Sequence, residues 1–208
     1  LENAIKYGRK RIIYIAPYNS ILEQNASEIR KYIGNGCEVL EHHSGVVFDP
    51  GVGEEEGEEY KRYKLLTENW TQTPVIATTA VQFLDTLFSG RTSCVRRMRA
   101  LSDSIIILDE VQALPVKVLK LFNCAMNFLS HFCSVSVVLC SATQPPLDIT
   151  DDCRMIKPDY IIKDTERYFH AFKRTDIVDY TSYGFTYSSA ADYIAGHCAQ
   201  VKSLLVIV

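Results

Sequence analysis

The sequence lacks the features that would place it in several common classes of protein. Its 22 Lys and Arg residues face 25 Asp and Glu residues, which leaves a net charge of −3. No overall positive field therefore attracts nucleic acid, and a nucleic-acid site on this chain has to be local. No apolar run approaches the roughly 20 residues that cross a bilayer, so we expect no membrane contact.

A cysteine pattern that would hold disulfides or zinc is also missing. The 208 residues contain seven cysteines, an odd number, and no CxxC motif. This argues against a disulfide framework and against a structural zinc site. Cysteines within apolar segments, such as Cys140, are typical of small buried hydrophobic residues. We therefore expect a reducing compartment, the cytoplasm.

A third absence is the motif GxxxxGK[ST], which occurs nowhere in the sequence. In nucleotide-hydrolysing proteins this motif supplies the backbone cradle, the lysine and the Mg²⁺-binding hydroxyl for the phosphates. The chain also begins at Leu1 and ends in the strand-like SLLVIV. We expect it to be cut from a longer protein.

What the sequence does contain is an alternation of short apolar runs with helical patterns. The runs predict strands at 11–15, 38–41, 75–77, 104–108, 135–140 and 204–208. The helical patterns lie at 20–33, 60–69, 81–88, 116–132 and 190–201. Buried strands that alternate with helices predict an α/β fold with a parallel, doubly wound sheet.

Two stretches interrupt this alternation. Residues 49–59 are acidic and Gly-rich, which predicts a mobile surface loop. Residues 144–187 lack a clear period and are interpreted as a connection between two lobes, with a short strand at 160–162.

Small, hydroxylic or acidic residues follow each of five predicted strands. These stretches read APYNSILEQNA, HHSG, TTAVQ, DEVQ and SATQP in chain order. In a parallel sheet, ligands bind beyond the carboxyl ends of the strands, and these ends share one rim. The sequence therefore predicts a functional site along that rim.

The acidic pair Asp109-Glu110 has two interpretations. At a strand end, the first carboxylate can hold Mg²⁺ through water while the second orients an attacking water. Alternatively, Asp109 is the N-cap of the next helix, which Pro115 opens. Taken alone, the run of apolar residues followed by this pair leaves both open.

The hydroxyls of Ser141 and Thr143 follow the neighbouring strand. They can hydrogen-bond to the acidic pair and respond to its state. They can equally belong to a simple turn before Pro145 and Pro146, where no helix can form.

Two stretches fit the capping box that begins a helix, one with Ser20 and Glu23 and one with Thr79 and Gln82. Both lie just after predicted strands. The unpaired amides and positive dipole of such helix ends can hold phosphates. They would let an acidic protein bind a nucleic-acid strand without many lysines or arginines.

Two further clusters each have a structural and a functional interpretation. His42 and His43 have no His or Cys partner at ligand spacing, so hydrogen bonding at the rim is favoured over zinc. Arg96, Arg97 and Arg99 form a basic cluster that is either a solvated helix face or a set of phosphate contacts.

These motifs together resemble superfamily 2 helicases of the DEAD/DEAH-like type. The matching stretches are LDEVQALP, SAT, IYIAPYNSILEQNA and TTAVQFLDTLFSGR. The residues of these motifs are most similar to those of the helicase–nuclease of type I CRISPR–Cas systems, and EHHSG before an acidic insertion also fits. The resemblance is strong over 4–146 and weak over 147–208.

The resemblance implies a RecA-like sheet of the phosphate-loop NTPase class, with ATP and Mg²⁺ as cofactors. Asp109 would then hold Mg²⁺ through water, Glu110 would activate water, and Gln112 would contact the γ-phosphate or bridge to a second lobe. Ser141 and Thr143 would couple hydrolysis to strand movement. The residues that would line the DNA track are Pro17, Tyr18, Ser20, Gln24, Thr78 and Thr79.

The resemblance also implies partners and domains. The partners would be single-stranded DNA, a guide-RNA surveillance complex, and an HD nuclease domain in the same or a partner chain. Residues 1–146 would be a truncated first lobe without its phosphate loop, 147–187 a connector between lobes, and 188–208 the start of the second lobe. Because the phosphate loop is missing, we expect this chain alone to bind no nucleotide tightly and to be inactive.

Two other functions remain open. One is a different superfamily 2 DNA translocase, such as the motor of a restriction system. The other is a non-enzymatic nucleic-acid-binding module that kept the sheet and lost the phosphate loop.

Overall fold

The computed structural model describes residues 6–46, 54–142, 147, 153–157, 159–176, 178–180, 182, 184–198 and 201–207. The chain divides into two compact units, Leu1–Pro158 and Asp159–Val208. The finer division into 1–146, 147–187 and 188–208 stays a prediction.

The first unit is built on a parallel sheet. Its strands are β1 (Arg11–Ala16), β2 (Val39–His42), β3 (Val75–Thr79), β4 (Ser104–Leu108) and β5 (Ser136–Leu139). They lie in the order β2-β3-β1-β4-β5, and each described pairing is parallel. The predicted α/β sheet is therefore confirmed, with strand positions within a few residues of those expected.

Helices follow the strands and cover the sheet. In the first unit they are α1 (Asn19–Ile33), α2 (Glu54–Glu68), α3 (Ala80–Phe88), α4 (Thr92–Leu101) and α5 (Leu119–Phe132). Short 3₁₀ turns lie at Gly34–Gly36, Trp70–Gln72, Val111–Ala113 and Val116–Val118. The predicted helix over 116–132 is thus a 3₁₀ turn followed by α5.

The two faces of β1 pack into different cores, as alternating side chains require. On one face, Tyr14 and Ala16 pack with Leu22 and Ala26 of α1. On the other, Ile13 and Ile15 join the larger core. That core also includes Trp70, Ile76, Phe83, Leu101, Ile106, Phe122 and Met126. This burial fixes β1 and its neighbours, and so fixes the positions of the residues that follow them.

Two segments of the first unit differ from expectation. Residues 54–59 belong to the helix α2 and not to the predicted loop, while 49–53 lie outside the described residues. Glu is a good helix former, so an acidic composition does not exclude a helix. Helix α4 was not predicted, because its arginines obscure an apolar face that buries Cys94, Ala100 and Leu101.

The second unit contains α6 (Thr165–Phe172) and α7 (Tyr187–Cys198). The ring of Tyr193 in α7 packs against Tyr180 and Phe185, with centroids 5.6 and 5.4 Å apart. The strands predicted at 160–162 and 204–208 are wrong over the described residues there, which form bends and irregular backbone. A strand needs a neighbouring strand to pair with. No described helix is long and apolar enough to cross a membrane.

Candidate active site at the carboxyl ends of the strands

The carboxyl ends of three adjacent strands meet at one rim, as predicted. Ile15 of β1 pairs in register with Leu108 of β4, which pairs in turn with Leu139 of β5. The backbone continues this alignment one residue further. The Asp109 N–H donates to the Ile15 carbonyl at 2.8 Å, and the Cys140 N–H donates to the Leu108 carbonyl at 2.8 Å. Asp109 is therefore fixed between the ends of β1 and β5.

The Asp109 carboxylate is held by a tyrosine from the neighbouring strand. The Tyr14 hydroxyl donates to Oδ2 of Asp109 at 2.6 Å. The side-chain amide of Asn25, in the second turn of α1, donates a short hydrogen bond to the same hydroxyl. The backbone N–H of Glu110 donates to Oδ1 of Asp109 at 3.0 Å. Both carboxylate oxygens are thus oriented before any ligand arrives.

The environment of Tyr14 keeps its hydroxyl protonated. Burial raises the pKa of Tyr14, and the hydrogen bond to Asp109 raises that pKa further. A protonated hydroxyl can donate to Asp109 while accepting from Asn25. Neither residue was predicted to belong to the site, although both lie in the stretch IYIAPYNSILEQNA. A polar side chain inside an apolar strand, as Tyr14 is, could have signalled a buried partner.

Glu110 has an unusual backbone conformation. Its φ and ψ are 51° and 46°, in the left-handed region. A residue other than glycine pays on the order of 1 kcal/mol for this conformation. The turn sends the chain directly from β4 into the 3₁₀ turn Val111–Ala113.

A hydrogen-bonded chain of side chains links the ends of β4 and β5. The Gln112 amide Nε2 donates a short bond to the Glu110 carboxylate. The Ser141 hydroxyl donates to Oε1 of Gln112 at 2.5 Å. Glu110, Gln112 and Ser141 therefore form one connected set, which sequence spacing alone could not establish.

The geometry excludes one of the two interpretations of the acidic pair. Asp109 accepts from Tyr14 and from its immediate neighbour, and it caps no helix. Glu110 precedes the 3₁₀ turn without a side-chain capping bond. Helix α5 begins only at Leu119, beyond Pro115. The helix-cap interpretation is wrong, because a left-handed turn and a 3₁₀ turn separate the pair from that helix.

The hydroxyls after β5 are only partly described. Ser141 is half-buried and joined to Gln112, which agrees with the interpretation that it contacts the acidic segment. Thr143, Pro145 and Pro146 lie outside the described residues.

The first group of predicted DNA-track residues lies at the start of α1. Tyr18 is 63% exposed, Ser20 and Gln24 are exposed, and Pro17 is half-buried. The capping box predicted for Ser20 is wrong. Helix α1 begins at Asn19 with Tyr18 as its N-cap and no side-chain capping bond, so Ser20 already lies within the first turn.

The second group lies where β3 meets α3, and its two threonines differ. Thr79 is the N-cap of α3, and its hydroxyl accepts from the Gln82 N–H at 3.4 Å, so this predicted cap is confirmed. Thr78 is fully buried, and its hydroxyl donates to the His42 carbonyl at 2.8 Å. The Thr78 side chain therefore fastens β3 to β2 and is not presented at the rim.

The basic cluster divides into buried and exposed members. Arg97 is buried, and its guanidinium lies 5.5 Å from the centre of the Trp70 ring. It also donates to Oε1 of Gln82 at 3.2 Å. A solvated helix face is therefore the wrong interpretation for Arg97, whereas Arg96 and Arg99 are exposed.

The two histidines make structural contacts at the end of β2. The His42 ring packs edge-on against Trp70 at 5.6 Å. Burial lowers the pKa of His42 to about 3, with a further contribution from Arg97. His43 Nδ1 accepts from the Gly45 N–H at 3.2 Å. Among the described residues, no group of three or more His, Cys, Asp or Glu could enclose a metal ion.

The acidic pair nonetheless fits a magnesium ion of the kind that keeps its waters. Asp109 and Glu110 are half-buried, so water reaches both carboxylates. Each carboxylate oxygen retains a lone pair beyond the hydrogen bonds described above. Mg²⁺ in nucleotide sites keeps several waters and takes only one or two protein carboxylates. A cage of protein ligands is therefore not required here.

Comparisons with known proteins identify the fold and the family of the chain. A solved structure, T. fusca Cas3-AMPPNP, superposes with a TM-score of 0.52 over 66% of this chain, at 18% identity, which shows the fold alone. The chain spans only 16% of that protein. No curated protein matches the chain. A family model for the DEAD/DEAH box helicases matches residues 1–151. The sheet is therefore a RecA-like helicase fold, and the chain belongs to the DEAD/DEAH box helicase family.

Proposed function

We propose that this chain serves an ATP-dependent translocase that moves along single-stranded DNA. The observation that carries the proposal is the hydrogen-bonded chain from Glu110 through Gln112 to Ser141. It joins the acidic pair at the end of β4 to the hydroxyl at the end of β5. A change of charge or position at one strand end is thereby transmitted to the next.

In the proposed site, Asp109 would hold Mg²⁺ through water. Its carboxylate is already oriented by Tyr14 and by the Glu110 N–H. Glu110 would accept a proton from the attacking water, and Gln112 would contact the γ-phosphate or a second lobe. When bound, Mg²⁺ and ATP supply the phosphoryl group and the charge that stabilises its transfer.

Coupling is assigned to Ser141 and to Thr143, the latter on family resemblance alone. Gln112 offers its amide nitrogen to Glu110 and its amide oxygen to Ser141. Gain of a proton at Glu110, or loss of a phosphate contact at Gln112, would therefore reorient Gln112 and release Ser141.

The DNA track is proposed at the start of α1 and α3, with contributions from Pro17, Ser20 and Gln24. The exposed Tyr18 ring can stack on a base. The backbone N–H groups at the start of α1 carry no side-chain capping bond and can donate to a phosphate. Thr79 can contribute from its cap, whereas Thr78 can contribute only its backbone because its side chain is buried.

We further propose that the 208-residue chain does not hydrolyse ATP by itself. It contains no GxxxxGK[ST], so no residues in it form the usual phosphate cradle. Addition of a segment with that motif would be needed to complete the site.

The biological setting is proposed from the resemblance. The translocase would act in type I CRISPR–Cas antiviral defence, in the cytoplasm, recruited by a guide-RNA surveillance complex and cutting DNA with an HD nuclease domain. Residues 1–146 would act as the first lobe, 147–187 as the connector and 188–208 as the start of the second lobe. The Cas3 fold match is consistent with this setting.

Binding of a fluorescent single-stranded oligonucleotide, measured by anisotropy, tests the track. We expect weak binding at low salt that falls steeply as salt rises. Tyr18→Ala should weaken it about tenfold or more, because stacking contributes roughly 1–3 kcal/mol per base. Tyr32→Ala is the matched control, since Tyr32 is 86% exposed at the opposite end of α1.

Two results would contradict the proposal. Equal losses in the Tyr18 and Tyr32 variants would show that the start of α1 is not the track. Mg²⁺-dependent ATP hydrolysis by the purified chain, abolished by Glu110→Gln, would show that the chain is active without the usual phosphate loop.

A further inference from the structure

Two cysteines of the first unit lie in direct contact. The Sγ atoms of Cys124, on α5, and Cys153 are 2.6 Å apart and are not bonded to each other. A disulfide has an S–S distance of about 2.05 Å, so the two sulfurs are roughly half an ångström from bonding distance. Cys124 is exposed and Cys153 half-buried, which leaves both open to small reagents.

The backbone around Cys153 is held in place by groups other than the thiols. Asn123 donates to the Cys153 carbonyl at 3.1 Å. Asn127, one turn further along α5, donates to the Arg154 carbonyl at 2.8 Å and accepts from the Ile156 N–H at 2.9 Å. The approach of the thiols is therefore imposed by the fold, and bond formation would require little movement of the backbone.

We propose that Cys124 and Cys153 form a reversible disulfide. The oxidant is a small disulfide of the glutathione class. The Cys124 thiolate attacks one of its sulfurs and releases one thiol. The Cys153 thiolate then attacks the Cys124 sulfur and releases the second thiol. One S–S bond forms, two protons leave, and two electrons pass to the small disulfide.

The order of these attacks follows from the contact between the thiols. The hydrogen bond with Cys124 raises the pKa of Cys153. Cys124 is also the more exposed of the two thiols, so the small disulfide reaches Cys124 first and Cys153 acts second. Nearby Lys120 acts in the opposite direction on the pKa of Cys153 and favours its deprotonation in the second step.

The crosslink would close a ring from Cys124 to Cys153 that contains β5 and Ser141. It would fix the segment 153–157 against α5, where the chain approaches the end of the first unit. If Ser141 couples hydrolysis to movement, as proposed above, oxidation would restrain that coupling. Formation of the disulfide itself does not depend on the proposed function.

The test uses the purified full chain in glutathione buffers of graded redox ratio, followed by thiol trapping and mass spectrometry. Trypsin is unsuitable because 121–154 contains no Lys or Arg before Arg154. Chymotrypsin cuts after Phe128 and Phe132 and so separates Cys124 from Cys133. We expect the equilibrium constant for forming the Cys124–Cys153 link to be about 100-fold larger in the native chain than in urea. A disulfide that stabilises the folded state by a given factor is itself stabilised by folding by that same factor.

A second measurement compares melting temperatures. Oxidation should raise the Tm of the first unit by several degrees. Cys124→Ser and Cys153→Ser should abolish this rise, whereas Cys198→Ser, at an exposed cysteine of the second unit, should keep it. The proposal is overturned if glutathione adducts accumulate without the link. It is also overturned if native and urea-unfolded chains form the link equally, or if Cys124→Ser leaves the rise intact.

Discussion

Tyr14 donates a 2.6 Å hydrogen bond to Asp109 across 95 residues of sequence. The bond joins adjacent strands, and Asn25 extends it to α1. The helix that is proposed to meet DNA is therefore connected, through two side chains, to the carboxylate that is proposed to hold magnesium. Several consequences of the site and its surroundings can be measured on the chain itself.

Tyr14→Phe should lower the free energy of unfolding by about 1–2 kcal/mol, because it removes the hydroxyl that Asn25 donates to and that donates to Oδ2 of Asp109. Chemical denaturation measures the change. A double-mutant cycle with Asp109→Asn should give a coupling energy of roughly 1 kcal/mol. The asparagine oxygen can still accept the hydrogen bond from Tyr14, so the cycle measures only the part of the bond that depends on the carboxylate charge.

The control for this substitution is Tyr32→Phe, on an exposed tyrosine of α1. It should change stability by less than about 0.5 kcal/mol. Equal effects at the two tyrosines would show that the Tyr14 bond contributes nothing specific.

His42 should make the fold sensitive to acid. Burial lowers its pKa from 6.5 to about 3 in the folded chain. Above pH 6.5 the ring is neutral in both states. As pH falls from 6.5 towards 3, only the unfolded chain gains the proton, so stability drops by up to about 1.4 kcal/mol per pH unit.

Urea denaturation between pH 7 and 4.5 isolates this effect. His42→Gln should flatten the dependence on pH, while His131→Gln, at an exposed histidine, should leave it unchanged. A wild-type slope retained in the His42 variant would contradict the assignment.

Arg97→Lys should cost about 1–3 kcal/mol of stability. An ammonium group cannot reproduce the contact of the guanidinium with the Trp70 ring together with the hydrogen bond to Gln82. Arg96→Lys, on the same helix, is the matched control. Arg96 is exposed and pairs with Glu68 at 3.3 Å, so its replacement should cost less than about 0.5 kcal/mol. Thermal and urea denaturation should rank the two variants in this order.

Glu110→Gly should be more stable than Glu110→Ala by about 1 kcal/mol, because glycine adopts the left-handed conformation without a steric cost. The same pair of substitutions at Glu58, an exposed position in α2, should show the reverse order by a similar amount. If alanine is the more stable at both positions, the left-handed turn at Glu110 is not maintained in solution.

The sheet was predictable because buried parallel strands leave a strong pattern of apolar runs. The run before Asp109 ended where β4 ends, and the rim that collects the strand ends followed from the parallel order. Helix α4 was not predictable from charge, since Arg97 is buried by a tryptophan 27 residues earlier in sequence. Composition cannot reveal such a contact.

The sequence identified residues of the candidate site but not the hydrogen bonds that connect them. Asp109, Glu110, Gln112 and Ser141 were identified from motifs, and the structure brings them together. Their roles stay predictions. The partner of Tyr14 could not be identified, because it lies just beyond the end of another strand and the contact depends on strand register. Capping at Ser20 failed because α1 begins one residue before it, and a one-residue shift removes the capping geometry.

The left-handed turn at Glu110 also separates two kinds of selection. A library randomised at this position and screened only for folded protein should enrich glycine and asparagine, which adopt the left-handed conformation at the lowest steric cost. If Glu110 activates water as proposed, screening the same library for ATP hydrolysis, once a phosphate loop is supplied, should return glutamate. Position 110 thus reports which pressure a population of sequences has experienced, folding or chemistry.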